Sequence, residues 1–393
     1  MKNEMIAAVI GAALAIAMAA PANADQKIVT QGVSDTEIKL GSHVDLSGPI
    51  TMWGVPQRNG HIMRVEEQNA KGGVHGRKIT LIIEDNGYDP KKGVLATQKL
   101  IEQDKVFALV GVLGTAVFIP AMRISVDDGI PFIFPGTNAR AAFEPFNPLT
   151  FAMGAPYDSQ IKDGVKYFAE KMGKKKVGVI YQDDDFGKDI RDAAVKQAKI
   201  QNIPVVATEG YKRGDTSFSS QVANLRRAGA DLVVLGTVPR ETAGVMAEIT
   251  KVGWKVDAVA DAGACSQFTI MLGKAAVEGL YVQCQYPPFD PANESPKVQD
   301  WIKRYEARFK TKADVAAAIT YDMEDMVIMA LEKAGRDLTA QKFLAGLESI
   351  KDYQDIFGSP PQSFGPNKHI GTEGFVLLRV EGGKFRRVMS FGG

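Results

Sequence analysis

FALVGVLGTAVFIPAMRISVDDGIPFIF, residues 107–134, is the stretch on which the fold turns. Phe107 to Val110 is a short apolar run closed by Gly111, which predicts a buried strand. Gly111, Leu113, Gly114 and Thr115 then turn the chain into a helical pattern that reaches about Asp127. Ile130 to Phe134 is apolar again and predicts the next strand. Strand, helix and strand in so short a span form a βαβ unit, which pairs its strands in parallel with a right-handed crossover.

The same unit repeats in both directions. Upstream, strands are expected at Ile38 to Val44 and Ile79 to Glu84, with helices at Val55 to Ala70 and Pro90 to Gln103. Downstream the pattern restarts with a helix at Asp158 to Met172. Strands at Lys176–Tyr181, Val205–Glu209, Leu232–Leu235 and Ala258–Ala260 then alternate with helices at Phe186–Gln201, Phe218–Ala228 and Glu241–Val252. Leu280 to Gln285 is a further strand, and helices follow at Ser295–Lys310, Ala313–Ala334 and Thr339–Ser349. Gly374 to Val380 and Lys384 to Phe391 read as a hairpin turning at Gly382 and Gly383. The fold class is therefore α/β, with two doubly wound Rossmann-like lobes in series.

Helices that follow the second module suit a return to the first lobe. The chain would then cross between lobes three times, near Ala152–Tyr157, Gln285–Phe289 and Phe357–Pro366, where Pro, Gly and aromatic residues limit hinge freedom. The expected domains are 25–154 with 287–358 for lobe 1, and 155–286 with 359–393 for lobe 2. The other reading assigns one lobe to each continuous half. A chain of 393 residues, 45% hydrophobic and 24% charged, can fill two cores.

A net charge of +1, from 47 basic and 46 acidic residues, provides no field to hold nucleic acid or an anionic membrane. Lys2, an apolar run from Met5 to Ala20, and Pro21 to Ala24 read as a secretory signal peptide, residues 1–24, cleaved after Ala24. The run is too short for a comfortable membrane span; the alternative is an N-terminal anchor. Export places the mature chain in the periplasm, where Cys265 and Cys284 either close a disulfide or remain separate buried thiols.

Ligands of open α/β sheets bind beyond the carboxyl ends of strands, where strand order reverses. Gly111 to Ala116 is such an edge, and the free N–H groups of the helix start favour an anion. The Thr115 hydroxyl can donate to a carboxylate oxygen, and Thr115 also suits a plain N-cap. Trp53 follows the first strand and either lids an apolar ligand face or packs on its helix. Gly136, Thr137 and Asn138 follow the fourth strand and can supply a carbonyl and an amide, or simply turn.

Leu46, Ser47, Gly48 and Pro49 ahead of Trp53 and Gly54, NAKGGVHGRKI at Asn69–Ile79, and Glu84 and Asp85 running to Asp89 and Pro90 resemble the periplasmic leucine/isoleucine/valine-binding proteins. Tyr181, Phe186, Gly187 and Phe218–Leu225 agree in the second lobe, so the resemblance covers the mature chain. It implies a type I solute-binding protein of an ABC importer, acting as a monomer with permease subunits and closing its lobes on a small carboxylate-bearing ligand. It carries the family's contacts onto Trp53, Leu113 and Thr115, with Gly114 and Ala116 beside them, then onto Gly136, Asn138 and Phe186. The aromatic that follows the Leu232–Leu235 strand in the family falls near Val238, a departure. The family's acidic partner for a ligand ammonium falls on Ala262, or on Asp261 with a shift of one. If Asp261 points into the cleft, the ligand is an amino acid such as Leu, Ile or Val; if it faces solvent, an aromatic or aliphatic acid without an amine is favoured.

No cofactor and no metal are expected. His43, His61, His75 and His369 lack metal-ligand spacing and read as surface or strand-end residues. No nucleophile elbow, Walker loop or dinucleotide fingerprint occurs, so catalysis is unsupported. Asp183 to Asp185 reads as a solvated turn. A ligand-sensing module for a receptor is the rival of another class.

Overall fold

The computed structural model describes residues 26–290 and 292–392; the expected signal peptide lies outside them. In chain order the first lobe is built from β1 (Glu37–Val44), α1 (Thr51–Ala70), β2 (Lys78–Asp85), α2 (Pro90–Gln98), β3 (Ala108–Val110), α3 (Thr115–Asp128), β4 (Phe132–Ile133) and β5 (Thr150–Phe151). The second contains α4 (Tyr157–Lys171), β6 (Val177–Gln182), α5 (Asp185–Ile200), β7 (Val205–Tyr211), α6 (Ser219–Ala228) and β8 (Leu232–Gly236). It continues with α7 (Pro239–Lys251), β9 (Asp257–Ala260), α8 (Gln267–Gly273) and β10 (Tyr281–Cys284). The helices α9 (Pro296–Phe309), α10 (Val315–Ala334) and α11 (Ala340–Glu348) follow, and the hairpin β11 (Phe375–Glu381) and β12 (Lys384–Phe391) ends the chain.

The first sheet has the order β2-β1-β3-β4-β5 and is parallel throughout. The second has the order β12-β11-β10-β9-β8-β6-β7, parallel from β7 to β10, with β11 and β12 antiparallel at the edge. Both sheets reverse their strand order, between β1 and β3 in the first and between β6 and β8 in the second. Those reversals are where a doubly wound sheet opens a crevice.

The late helices return to the first lobe. Trp301, Tyr305 and Phe343 are fully buried in one core with Ile38, Leu40 and Phe107, and the Phe107 and Phe343 rings meet edge to face at 5.3 Å. Side-chain caps fix where these helices begin: Ser295 for α9, Asp314 for α10 and Thr339 for α11. Gly129 and Gly229, at positive φ, end α3 and α6.

The third passage between lobes runs later in the chain than Phe357–Pro366. Phe364 packs on Phe134 and Phe151 of lobe 1, with ring centroids at 5.5 and 5.7 Å. Ala152 then pairs with Ile370, so residues 359–370 run beside lobe 1 rather than within lobe 2. The aromatic residues that look like hinge stiffeners in sequence are here core residues.

Other differences are local. Helix α1 begins at Thr51, not Val55, because the Asp45 carboxylate accepts the Ser47, Gly48 and Ile50 amides and rolls the Gly-Pro turn straight into the helix. A Cβ on Gly54 would lie 1.8 Å from the Asp45 carbonyl oxygen, so only glycine fits there. The two-residue β5 and the short α8 were not anticipated, since both are below the length at which periodicity is readable. Three of the four histidines are buried: His43, His61 and His369 are interior, and only His75 is exposed. Burial pushes the His43 imidazole down to about 3, so it stays neutral while facing Thr97 at 3.0 Å. Asp184 is likewise no solvated turn residue: it caps α5 through the Phe186 and Gly187 amides.

Candidate functional site

A cavity of about 100 Å³ lies between the two strand-order reversals, room for one small molecule but not for a peptide. Its lobe 1 wall comes from the ends of β1, β3 and β4. Trp53 stands in the first turn of α1 and its indole Nε1 donates across the cleft to the Gly263 carbonyl at 3.1 Å. The two lobes also meet where Gln182 Nε2 donates to the Tyr88 hydroxyl at 2.9 Å and Ser266 Oγ donates to Asp314 Oδ2 at 3.0 Å. The cleft is thus in its closed arrangement.

Gly114 sits at φ 100° and precedes α3; a Cβ there would meet the Tyr88 ring at 2.6 Å. Its amide donates to the Gly136 carbonyl, while Gly136 donates to Val112, which locks the two strand-end loops together. Thr115 is the first residue of the helix rather than its cap. Its buried hydroxyl lies 2.7 Å from that of Thr137 instead of bonding a helix amide, so the N-cap reading is corrected. The Thr115 and Ala116 amides have no backbone acceptor among the described residues and remain available to an anion, whereas Val117 and Phe118 already donate to the Gly114 carbonyl. The Leu113 carbonyl already accepts from Asn86 Nδ2 at 3.2 Å, leaving one lone pair for a ligand.

From lobe 2, Phe186 lies in the first turn of α5 and stacks edge to face on Tyr157 at 5.3 Å between centroids. Val238 occupies the position before α7 and lines the cavity as an aliphatic surface. Trp53, Leu113, Gly114, Thr115, Gly136, Asn138, Phe186 and Val238 therefore line one cavity, from its two sides. Ala116 does not: it is buried as the second residue of α3 and lies outside the cavity lining.

Asp261 neither faces solvent nor forms part of the open wall. It follows β9, is 0% exposed, and both its carboxylate oxygens lack a hydrogen-bond partner among the described residues. Ala262 and Gly263, the next two residues, do line the cavity. Burial pushes the Asp261 carboxyl well above the usual carboxylate range, and the nearby Gly263 and Asp261 amides offset this only in part. Burial, and next the charge of Asp261, also raise the Tyr157 phenol, while the Thr137 and Thr115 hydroxyls pull it the other way. Asp261, Tyr157, Thr115 and Thr137 thus act on one another at the cavity.

Several wall residues were not singled out from sequence as ligand contacts: Gln57, Tyr88, Tyr157, Gln285 and Tyr286. Thr137, named with Gly136 and Asn138 from the sequence, lines the cavity with them. Tyr157 ends the first passage between lobes and Gln285 begins the second, so a search of those segments for polar side chains would have found them. Cys265, also in the wall, is bonded to Cys284 with Cα atoms 5.6 Å apart, which ties the turn after β9 to β10. Among the described residues no cluster of His, Cys, Asp or Glu could hold a metal, and no helix is long and apolar enough to cross a membrane.

Residues 37–384 match the family model described as periplasmic binding protein. The leucine-specific-binding protein of Salmonella typhimurium is 27% identical over 327 residues, 82% of this chain and 85% of that protein. A fatty acid ABC transporter substrate-binding protein from Thermomonospora curvata superposes with a TM-score of 0.83 at 24% identity, covering 93% of this chain and 94% of that one. A branched-chain amino acid ABC transporter protein from Thermus thermophilus, solved with bound valine, gives 0.84 at 17% identity, covering 92% and 98%.

Proposed function

The chain belongs to the periplasmic binding protein family, and from that premise we propose that it is the extracytoplasmic solute-binding component of an ABC importer. Its ligand is a small carboxylate-bearing molecule, an amino acid such as Leu, Ile or Val, held between lobes that close by hinge bending. The leucine-specific relative and the valine-bound structural neighbour support this ligand class. The moving units are residues 25–154 with 287–358 and 155–286 with 359–393, less the stretch 359–370 that accompanies lobe 1. The protein acts in the periplasm after cleavage behind Ala24, as a monomer that delivers its ligand to the permease subunits.

One observation carries the amino-acid reading: a fully buried carboxylate, Asp261, with neither oxygen satisfied, beside a cavity whose opposite wall offers the hydroxyls of Thr115 and Thr137 and a helix N-terminus. A zwitterion answers both halves. Its carboxylate takes the helix start and hydroxyls; its ammonium reaches Asp261 past Gly263, where no side chain intervenes. Trp53, Phe186 and Val238 supply the apolar walls for an aliphatic side chain.

A second reading has its own support. Asp261 is not itself part of the open wall, and its raised carboxyl can stay protonated, in which case no ammonium is required and an aromatic or aliphatic acid fits. The fatty acid transporter neighbour supports that possibility for the fold. A thermal-shift screen of Leu, Ile, Val and Phe against benzoate- and cinnamate-type acids decides between them, because stabilisation follows occupancy by mass action. Shifts with amine-free acids alone would remove the amino-acid reading. A protein that responds to none of these compounds would remove both.

A further inference from the structure

The wall nearest the passages between lobes carries polar atoms that neither the hydroxyl pair nor Asp261 uses. Gly154 lies in the first passage, Gln285 in the second, and Asn138 in the loop after β4, and all three line the cavity. A Cβ on Gly154 would sit 2.2 Å from Gln285 Oε1 and 2.6 Å from Asn138 Oδ1. Two carbonyl oxygens therefore converge on one point above a residue without a side chain. The Gln285 amide is turned this way by a long contact from its Nε2 to the Met153 carbonyl at 3.5 Å. Neither oxygen accepts a hydrogen bond from any described residue, although Gln285 is buried. A third carboxamide, Gln57, lines the same cavity and is also buried, with its Oε1 unpartnered.

The Gln57 oxygen is buried without a donor, while the Gln285 and Asn138 oxygens open onto the cavity, so a ligand that fills it strips them of water and must bring a donor in return. An aliphatic side chain placed against them would pay that desolvation with no return. Resting on the reading of this cavity as a carboxylate-ligand site, we propose that the ligand carries, besides its carboxylate, a hydroxyl or amide N–H that Asn138 Oδ1 and Gln285 Oε1 accept together above Gly154. The proposed ligand class narrows accordingly: on a given acid or amino-acid scaffold, the hydroxylated or amide-bearing member binds more tightly than its purely apolar counterpart, Val and its like included.

The test is calorimetric titration of the full mature protein with matched pairs that differ by one hydroxyl: valine and threonine, phenylalanine and tyrosine, benzoate and 4-hydroxybenzoate, butyrate and 3-hydroxybutyrate. The expected result is a preference of about tenfold or more for the hydroxylated member of the pair whose scaffold fits. Gln285→Met should erase that preference by weakening the hydroxylated member alone. Gly154→Ala, which puts a methyl where the donor belongs, should do the same and serves if the first variant does not fold. Equal affinity within every pair that binds would overturn the proposal, as would an equal loss for both members in Gln285→Met, since the amide would then hold the ammonium or merely brace the hinge. If no compound binds the wild-type protein, the parent reading fails and takes this one with it; a binding protein without the hydroxyl preference sinks this one alone.

Discussion

The two walls of the cleft are built alike and charged differently. Both arise at the reversal of strand order in a parallel sheet, and both place the start of a helix beside the cavity. On the lobe 1 side of the cavity the two hydroxyls and the two strand-end loops answer each other: Thr115 and Thr137 pair, and Gly114 donates to Gly136; only neutral groups, such as Gln57 Oε1, are left without a partner among the described residues. The lobe 2 side differs, because Asp261 is sealed in without a partner. A wall whose loops are already locked together, with neutral donors left open, can hold an anion on arrival with little rearrangement. A side with an electrostatic deficit gains only when the right partner is present, so the proposed amino-acid reading expects lobe 1 to capture and lobe 2 to discriminate.

The sharpest way to break this contrast is at Asp261. Asp261→Asn should reduce amino-acid affinity by more than a hundredfold, since removing one member of a buried charge pair costs about 3–5 kcal/mol. The same variant should make the ligand-free protein more stable by about 1–3 kcal/mol, because an unsatisfied buried carboxylate is gone. Calorimetry and denaturant unfolding measure the two effects, and opposite signs are the signature. An Asp261→Asn protein that binds valine normally would assign the ammonium to another group.

On the lobe 1 side, Thr115→Ala should weaken every carboxylate ligand, with or without an amine, by about 1.5–3 kcal/mol, the worth of a hydrogen bond to a charged group. Loss confined to amino acids would reverse the roles given to the two walls.

The pH dependence distinguishes the ligand classes. The Asp261 carboxyl is raised by burial, so its proton competes with a ligand ammonium, and amino-acid affinity should fall as pH drops toward that raised value. An amine-free acid should show the reverse, weakening as pH rises and Asp261 ionises beside it. Titrations across the acidic to neutral range read the sign directly.

The smallest effect is expected at the contacts between lobes. Burial raises Asp314 to about 6 where its carboxylate accepts from Ser266 across the cleft. A raised carboxyl favours the closed form most below the ordinary value of 3.8, and that contribution is lost as pH rises through about 6. Asp314→Asn should flatten this dependence in scattering measurements of closure. Trp53→Phe keeps an aromatic ring but removes the bond to Gly263, and should cost closure about 0.5–1.5 kcal/mol.

Strand and helix alternation along 107–134 was enough to assign the α/β class, because periodicity is a local property of the chain. Gly114 and Thr115 were readable for the same reason: a glycine between a strand and a helix announces a tight turn with free amides. The partnership of Thr115 with Thr137 was not, since it joins loops after different strands. Asp261 shows the limit most clearly. As letters, an aspartate at a strand end is a cap or turn residue; enclosure by neighbours distant in sequence, such as Tyr157 and Phe186, turned it into a buried carboxylate.

Short-range order, the order of strands and helices, the need for two cores and the glycines that turn strand into helix all follow from composition and spacing, because each depends on residues a few positions apart. Which polar atoms end without partners, how far the third passage is carried along lobe 1, and whether the two cysteines meet depend on chain segments tens to hundreds of residues apart. Desolvation is a property of enclosure, and enclosure exists only once both lobes and their shared cleft have been assembled.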